Sequence, residues 1–142
     1  VERQFVAFTI GSEEFCIDIS KVREVKEMMP ITKVPQAPDE VEGIVNLRGQ
    51  VIPIVNLKKV LGYYDDNDLS DKKIILVETG NDVVGFIVDD VSDVVSLSEE
   101  QIESVPSVIG SHQGHYLRGI AKKDERLLLV FDLSKIINTD SF

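Results

Sequence analysis

The sequence predicts a mainly β protein made of two small β-barrels packed on a shared apolar seam. Three observations lead there. Short runs rich in Val, Ile, Leu and Phe recur along the 142 residues, separated by Gly, Pro, Asn and Asp turn signals. Helical pattern is confined to a few brief stretches. The chain also repeats itself, so each half carries the same order of strands.

The elements follow in order. Gln4 to Ile10 is rich in Phe, Val and Ile and reads as a strand, with a turn at Gly11-Ser12-Glu13. Glu14 to Ile19 alternates, with Phe15, Ile17 and Ile19 on one face and Cys16 and Asp18 on the other. Ser20 to Met29 is ambiguous: Val22 and Val25 suit one helical turn, but Val22, Glu24, Lys26 and Met28 share one strand face, which favours a short turn passing into a strand. Pro30, Pro35 and Pro38 mark a connection, and Pro38-Asp39 reads as a loop or the start of a short helix.

Val41 to Leu57 is the most apolar stretch and is broken only at Arg48-Gly49, the signature of a hairpin. Gly49 suits the left-handed conformation that a tight turn with a bulge requires. Pro53 has no N–H to give to a ladder, so the second strand is expected at an edge or bulged there. Asn56 caps a short helix from Leu57 to Leu61 that Gly62 stops. Tyr63 to Asp71 is acidic and reads as a linker.

Beyond it, Lys73 to Glu78 and Val83 to Val88 are strands around Gly80-Asn81-Asp82, and Val91 to Leu97 is another. Ser98 and Gln101 form a capping box at a helical turn. Pro106 to Gly114 reads as a loop. Tyr116 to Ala121 and Leu127 to Phe131 pair across Lys123-Asp124-Glu125, and Asp132 caps a helix from Leu133 to Ile137.

The repeat has two registers. Gly11 to Val25 matches Gly80 to Val94 at an offset of 69, aligning Ile17 with Phe86, Val22 with Val91 and Glu24 with Asp93. Gly43-Ile44 and Asn56 to Leu61 match Gly119-Ile120 and Asp132 to Ile137 at an offset of 76. The second half therefore has a longer connection between Val95 and Gly119. One domain spans 1–142, with halves of about 1–68 and 69–142. A half of that size is marginal alone, so the two should share a core. The repeat also isolates Arg48, because its counterpart is Asp124.

Composition bounds the partners. Fifteen Lys and Arg against 25 Asp and Glu give a formal charge of −10, with only short basic pairs. Nucleic acid and anionic membranes need clustered cations and are poor partners on that account. Cys16 is the single cysteine, so no internal disulfide forms. No apolar run approaches the roughly 20 residues that span a bilayer, and no signal peptide pattern is visible, so a cytoplasmic protein is expected.

Catalytic chemistry finds little footing. His112 and His115 stand as H-x-x-H in a Gly/Ser loop without a third ligand nearby, so no metal is expected. Cys16 has no basic neighbour in its strand and reads as a small apolar residue. An esterase-like or metal-dependent enzyme built on Cys16, His112 and His115 is the competing class, but it lacks the orienting partners of a triad. There is no phosphate-binding glycine loop and no calcium loop, and no cofactor is expected. A turn arginine alone is ordinarily solvated or paired within its chain. Arg48, however, tips the most apolar hairpin, and arginine beside exposed apolar surface is a common binding composition.

Two stretches carry a family resemblance: F-x-x-F-x-I-G-x-E-x-F-x-I-D-I-x-K-V-R-E-V, and A-P-x-x-V-x-G-I-V-N-L-R-G-Q-V-I-P-I-V-N-L. They resemble the CheW family, and V-G-F-I-V-D-D-V-S-D-V-V-S-L is similar to its second half. The likeness runs from Gln4 to about Ile137, and N-L-R-G-x-x-I-P-I-V is its most specific motif. The resemblance implies two intertwined SH3-like five-stranded β-barrel subdomains with short helices. It implies a non-enzymatic bacterial chemotaxis adaptor joining the cytoplasmic tips of methyl-accepting receptors to the regulatory domain of the CheA histidine kinase. It assigns Val22, Gly43, Arg48 and Gly85 to receptor coupling, and Glu24, Val51 and Pro53 to kinase contact. The alternative setting is the CheW-like part of a larger protein, such as a CheV adaptor or a kinase regulatory domain. The end of the chain soon after the last helix favours a free-standing adaptor.

Overall fold

The structure is a computed structural model and describes residues 1–63, 68–106 and 115–136. Strands dominate: β1 (Glu2–Ile10), β2 (Glu13–Asp18), β3 (Val22–Glu27), β4 (Val41–Leu47) and β5 (Gln50–Asn56) lead to helix α1 (Leu57–Val60). Then come β6 (Lys73–Thr79), β7 (Asp82–Val88), β8 (Asp90–Ser98), β9 (Ile102–Glu103), β10 (Leu117–Lys123) and β11 (Arg126–Phe131), closed by helix α2 (Leu133–Ile136).

The strands form two sheets, ordered β8-β1-β2-β11-β10-β9 and β3-β6-β7-β5-β4. Neither sheet comes from one half of the sequence. The first repeat lends β1 and β2 to the sheet otherwise built by the second, and the second lends β6 and β7 in return. The exchange is symmetric down to its parallel pairings: Val130 lies opposite Cys16, and Ile54 opposite Gly85. This is the intertwined arrangement expected of the two barrels.

Each sheet curls around its own core. Phe5, Ala7, Cys16, Leu128 and Val130 fill one, and Ile74, Leu76, Ile52 and Ile54 hold the equivalent places in the other. A third and larger cluster is the seam. It joins Phe8, Phe15 and Phe131, stacked with ring centroids 5.1–6.0 Å apart, to Val55, Leu57, Ile75 and Phe86. Strands β2 and β7 are therefore buried on both faces, which is why the alternation read over Glu14 to Ile19 does not leave Cys16 at the surface.

The caps behave as their residue types predict. Asn56 Oδ1 accepts the Lys58 N–H at 3.0 Å, and Asp132 Oδ1 accepts that of Ser134 at 3.1 Å. Gln101 Oε1 accepts the Ser98 N–H at 2.8 Å over a single 3-10 turn. Pro38-Asp39 lies in turns rather than a helix.

Three expectations are corrected. The tip of the β4–β5 hairpin carries no bulge: Leu47 lies opposite Gln50, and Arg48 and Gly49 form a two-residue turn with φ of 52° and 84°. The bulge sits at the other end of the hairpin, between Val41 and Gly43. Pro53 is not on an edge strand, because β5 lies between β7 and β4. Its missing N–H is tolerated because the pairing with β7 covers only Ile54 to Asn56, and Pro53 lies just outside it. Finally, one sheet has six strands rather than five. The added β9 pairs with β10 through two residues, and in the other sheet a single Thr32–Ile44 bridge takes its place. Most of the Tyr63–Asp71 linker is described, but 64–67 and the loop at 107–114, with His112, lie outside the described residues, as does the tail from 137.

Candidate functional site

The site grows from the hairpin tip. Positive φ at both central positions makes the Arg48-Gly49 turn the type whose twist matches paired strands. Asn46 Oδ1 secures it by accepting the Gly49 N–H at 3.0 Å. Glycine and asparagine suit such positions, whereas an arginine there costs roughly 1–2 kcal/mol of backbone strain. At the equivalent tip Asp124 also has positive φ, 57°, but aspartate is a residue type that tolerates it.

The left-handed backbone points Arg48 across to β3. Its Nη2 donates to Glu24 Oε2 at 2.5 Å, while two thirds of the side chain stays exposed. The Arg48 hydrogen bond holds the Glu24 carboxyl below its ordinary range against the opposing effect of burial, and Lys26 Nζ stands 3.6 Å away. Arg23 lies on the neighbouring side, with Nη1 donating to Gln50 Oε1 at 3.4 Å. Between these polar groups opens a depression of about 170 Å³, floored by Leu47, Ile52, Leu76 and Val83. Its rim is charged and its floor apolar.

Of the residues singled out in the sequence, Arg48 and Glu24 meet directly. Val51 and Pro53 follow on the outer face of β5, with Val51 62% exposed and Pro53 half-buried. Val22 is half-buried and packs on the seam. The two glycines lie inside. Gly43 and Gly85 flank Ile54 from opposite sides, each in register with it. A Cβ on Gly43 would stand 2.2 Å from the Thr32 carbonyl oxygen, and one on Gly85 2.6 Å from Ile54 Cδ1. Gly119, the counterpart of Gly43, meets the Glu103 carbonyl oxygen in the same way at 2.5 Å. Both glycines thus allow chain segments to approach closely rather than present a surface.

The sequence reading missed Arg23, Gln50, Leu76 and Val83. The repeat held the signal. At the two registers Gln50 aligns with Arg126 and Val83 with Glu14, and those residues make a very different structure. Arg126 Nη2 reaches Glu14 at 2.8 Å and Asp93 at 2.9 Å, and Ser92 Oγ adds a bond to Glu14 at 3.2 Å. Both carboxyls are held below their ordinary range, chiefly by the Arg126 hydrogen bonds.

Other candidate chemistry is not assembled among the described residues. Cys16 is fully buried, and burial pushes its thiol up to about 12. His115 is exposed and stands edge-on to Tyr116. No group of three His, Cys, Asp or Glu gathers at metal-binding distance among the described residues. None of their helices is long and apolar enough to cross a membrane.

Two β-sheets that exchange strands, with a polar hairpin tip at the end of one of them, place the chain among small paired-barrel β proteins. The CheW-like domain family matches residues 4–141, and the chain belongs to that family of chemotaxis scaffold proteins. It is 36% identical to the chemotaxis protein CheW of Klebsiella aerogenes, over 99% of this chain and 84% of that one. It is also 36% identical to the chemotaxis protein CheW of Thermotoga maritima, over 96% and 88%. Among solved structures, the scaffolding protein TtCheW from Thermoanaerobacter tengcongensis superposes with a TM-score of 0.84 at 36% identity, over 94% of this chain and 86% of that one.

Proposed function

We propose that this chain is a non-enzymatic adaptor that couples methyl-accepting chemoreceptors to the CheA histidine kinase in the bacterial cytoplasm. It works by binding alone, without cofactor or metal, and reaches the inner face of the membrane only through receptor arrays. The observation that carries the reading is Arg48: an arginine held in a costly left-handed turn, mostly exposed, at the rim of an open depression. The exposed ion pair with Glu24 offsets only part of that cost, whereas docking gives the arginine a use.

Arg48, Val22, Gly43 and Gly85 form the receptor-coupling set, and Glu24, Val51 and Pro53 the kinase-contact set. Gly43 and Gly85 act through position, because both are buried and keep β5 in register between its neighbours. The Arg48–Glu24 ion pair ties one set to the other. A partner carboxylate that draws Arg48 away changes what Glu24 presents, so occupancy at one surface biases the other. Co-sedimentation with a membrane-bound receptor cytoplasmic fragment and the kinase tests this. The chain should carry the kinase into the pellet, and an enzyme or a single-partner binder would leave it in solution.

A further inference from the structure

Strands β3 and β8 hold the same place in the two barrels but are fastened very differently. Each lies at the edge of its sheet. Their pairings match residue for residue: Glu24 lies opposite Leu76 as Asp93 lies opposite Ala7, and both ladders shift register just before these residues. Strand β8 sends Val95 and Leu97 into the core, where they are 5% and 1% exposed. At the place of Val95, β3 carries Lys26, and at the place of Leu97 the chain has a half-buried Met28 just past the end of β3. No residue of β3 is fully buried. The side-chain ties differ in the same sense. Arg126 fastens β8 to its hairpin, with Nη1 3.0 Å from Asp93 Oδ2 while Nε donates to Glu14 Oε1 at 2.9 Å. Half-buried Lys123 adds a bond from Nζ to the Ser96 carbonyl oxygen at 2.7 Å. Leu47, the counterpart of Lys123, has nothing to donate. Strand β3 is tied instead by the Arg48–Glu24, Arg23–Glu78 and Lys73–Glu27 pairs, each with one partner more than half exposed. Exposed pairs of this kind add little and are screened by salt.

We infer that β3 is a release strand: it detaches from β6 and from the first hairpin in local openings that leave the rest of both sheets intact, β8 stays fixed, and receptor binding holds β3 in place. Local opening begins where buried apolar contacts are few and the remaining ties are exposed to solvent, and β3 meets both conditions while its twin meets neither. The opening bears on function because β3 carries Val22 and Glu24, one residue from each of the two proposed contact sets. A partner that binds only the attached strand shifts the equilibrium toward attachment by mass action. The receptor's part in this rests on the adaptor reading, whereas the difference between the two strands does not.

Hydrogen–deuterium exchange of the wild-type chain tests this, read by mass spectrometry on peptides covering 22–27 and 91–96 and corrected for intrinsic rates. The β3 peptide should be less protected than the β8 peptide by about tenfold or more. Added salt should lower its protection further and leave β8 unchanged. Protection of the two strands within about threefold of each other, or an equal response of both to salt, overturns the release strand. Lys26→Val places the twin's core residue in β3. In a folded variant it should raise β3 protection by about threefold or more and leave β8 as it was. Unchanged β3 protection in that folded variant overturns the inference, and if the variant does not fold the wild-type comparison decides alone. The wild-type measurement is then repeated with a saturating receptor cytoplasmic fragment, which should protect β3 selectively. Binding without added protection of β3 overturns its link to the receptor. Failure of the fragment to bind overturns the adaptor reading and leaves the result on the free chain standing.

Discussion

At the scale of single residues, Arg48 combines a left-handed backbone with a mostly exposed side chain. Its backbone strain is set against one surface ion pair, and such pairs contribute about 0–1 kcal/mol. Arg48→Gly relieves the strain and loses the pair, so its unfolding free energy should lie within about 1 kcal/mol of wild type in urea denaturation. A loss above about 2 kcal/mol would make Arg48 a structural residue instead. The departure of Arg48 from the repeat was legible in the sequence because Asp124 stands at the same place. The pairing with Glu24 was not, since β3 and the hairpin tip are 24 residues apart and meet only when the sheet curls. The missed Gln50 and Val83 show the same limit. Each is unremarkable alone, and they acquire meaning only beside Arg126 and Glu14, whose ion pair depends on the fold.

At the scale of elements, hairpins and caps were readable because their causes are local. Asn56, Asp132 and the Arg48-Gly49 break each act within four residues. Strand neighbours were not readable. Pro53 suggests an edge, yet β5 is internal, because the pairing with β7 begins one residue later. The two-residue β9 has too little pattern to be seen. Gly43 and Gly85 lie on either side of β5 and should respond differently to an added methyl group. At Gly43 the obstacle is backbone, the Thr32 carbonyl, and φ is 148°, so Gly43→Ala should cost about 2–3 kcal/mol. At Gly85 the obstacles are side-chain ends of Ile54, Ile74 and Leu76, which can shift, so Gly85→Ala should cost about 1 kcal/mol. Denaturant midpoints of the two variants check the order, and equal costs would contradict it.

At the scale of the whole molecule, the repeat predicted two barrels with a common seam, and the seam is the largest apolar cluster. Which strands cross between the halves was invisible, because both pairings bury the same residue types. Asp89 helps to lock the exchange. Its Oδ2 accepts the Gly11 N–H at 2.7 Å, and its Oδ1 lies 3.2 Å from Lys72 and 3.4 Å from Lys58. Burial pushes this carboxyl up, but the Gly11 bond and the two ammonium groups outweigh it and hold it below the ordinary range. Its stabilising effect is therefore complete above the unfolded value of about 3.9 and fades as pH falls through the lower folded value. Asp89→Asn should be less stable than wild type by about 1 kcal/mol at pH 7, after screening by solvent, and the gap should close as pH falls below the unfolded carboxylate value of about 3.9. A gap independent of pH would remove the carboxylate from this role. The central claim, that the unrepeated arginine joins receptor to kinase, is tested most directly by kinase activity in a reconstituted receptor–kinase assembly with Arg48→Ala in place of wild type. Arg48→Ala should fold and lose receptor control of the kinase; normal stimulation and inhibition by receptors with Arg48→Ala would contradict that role.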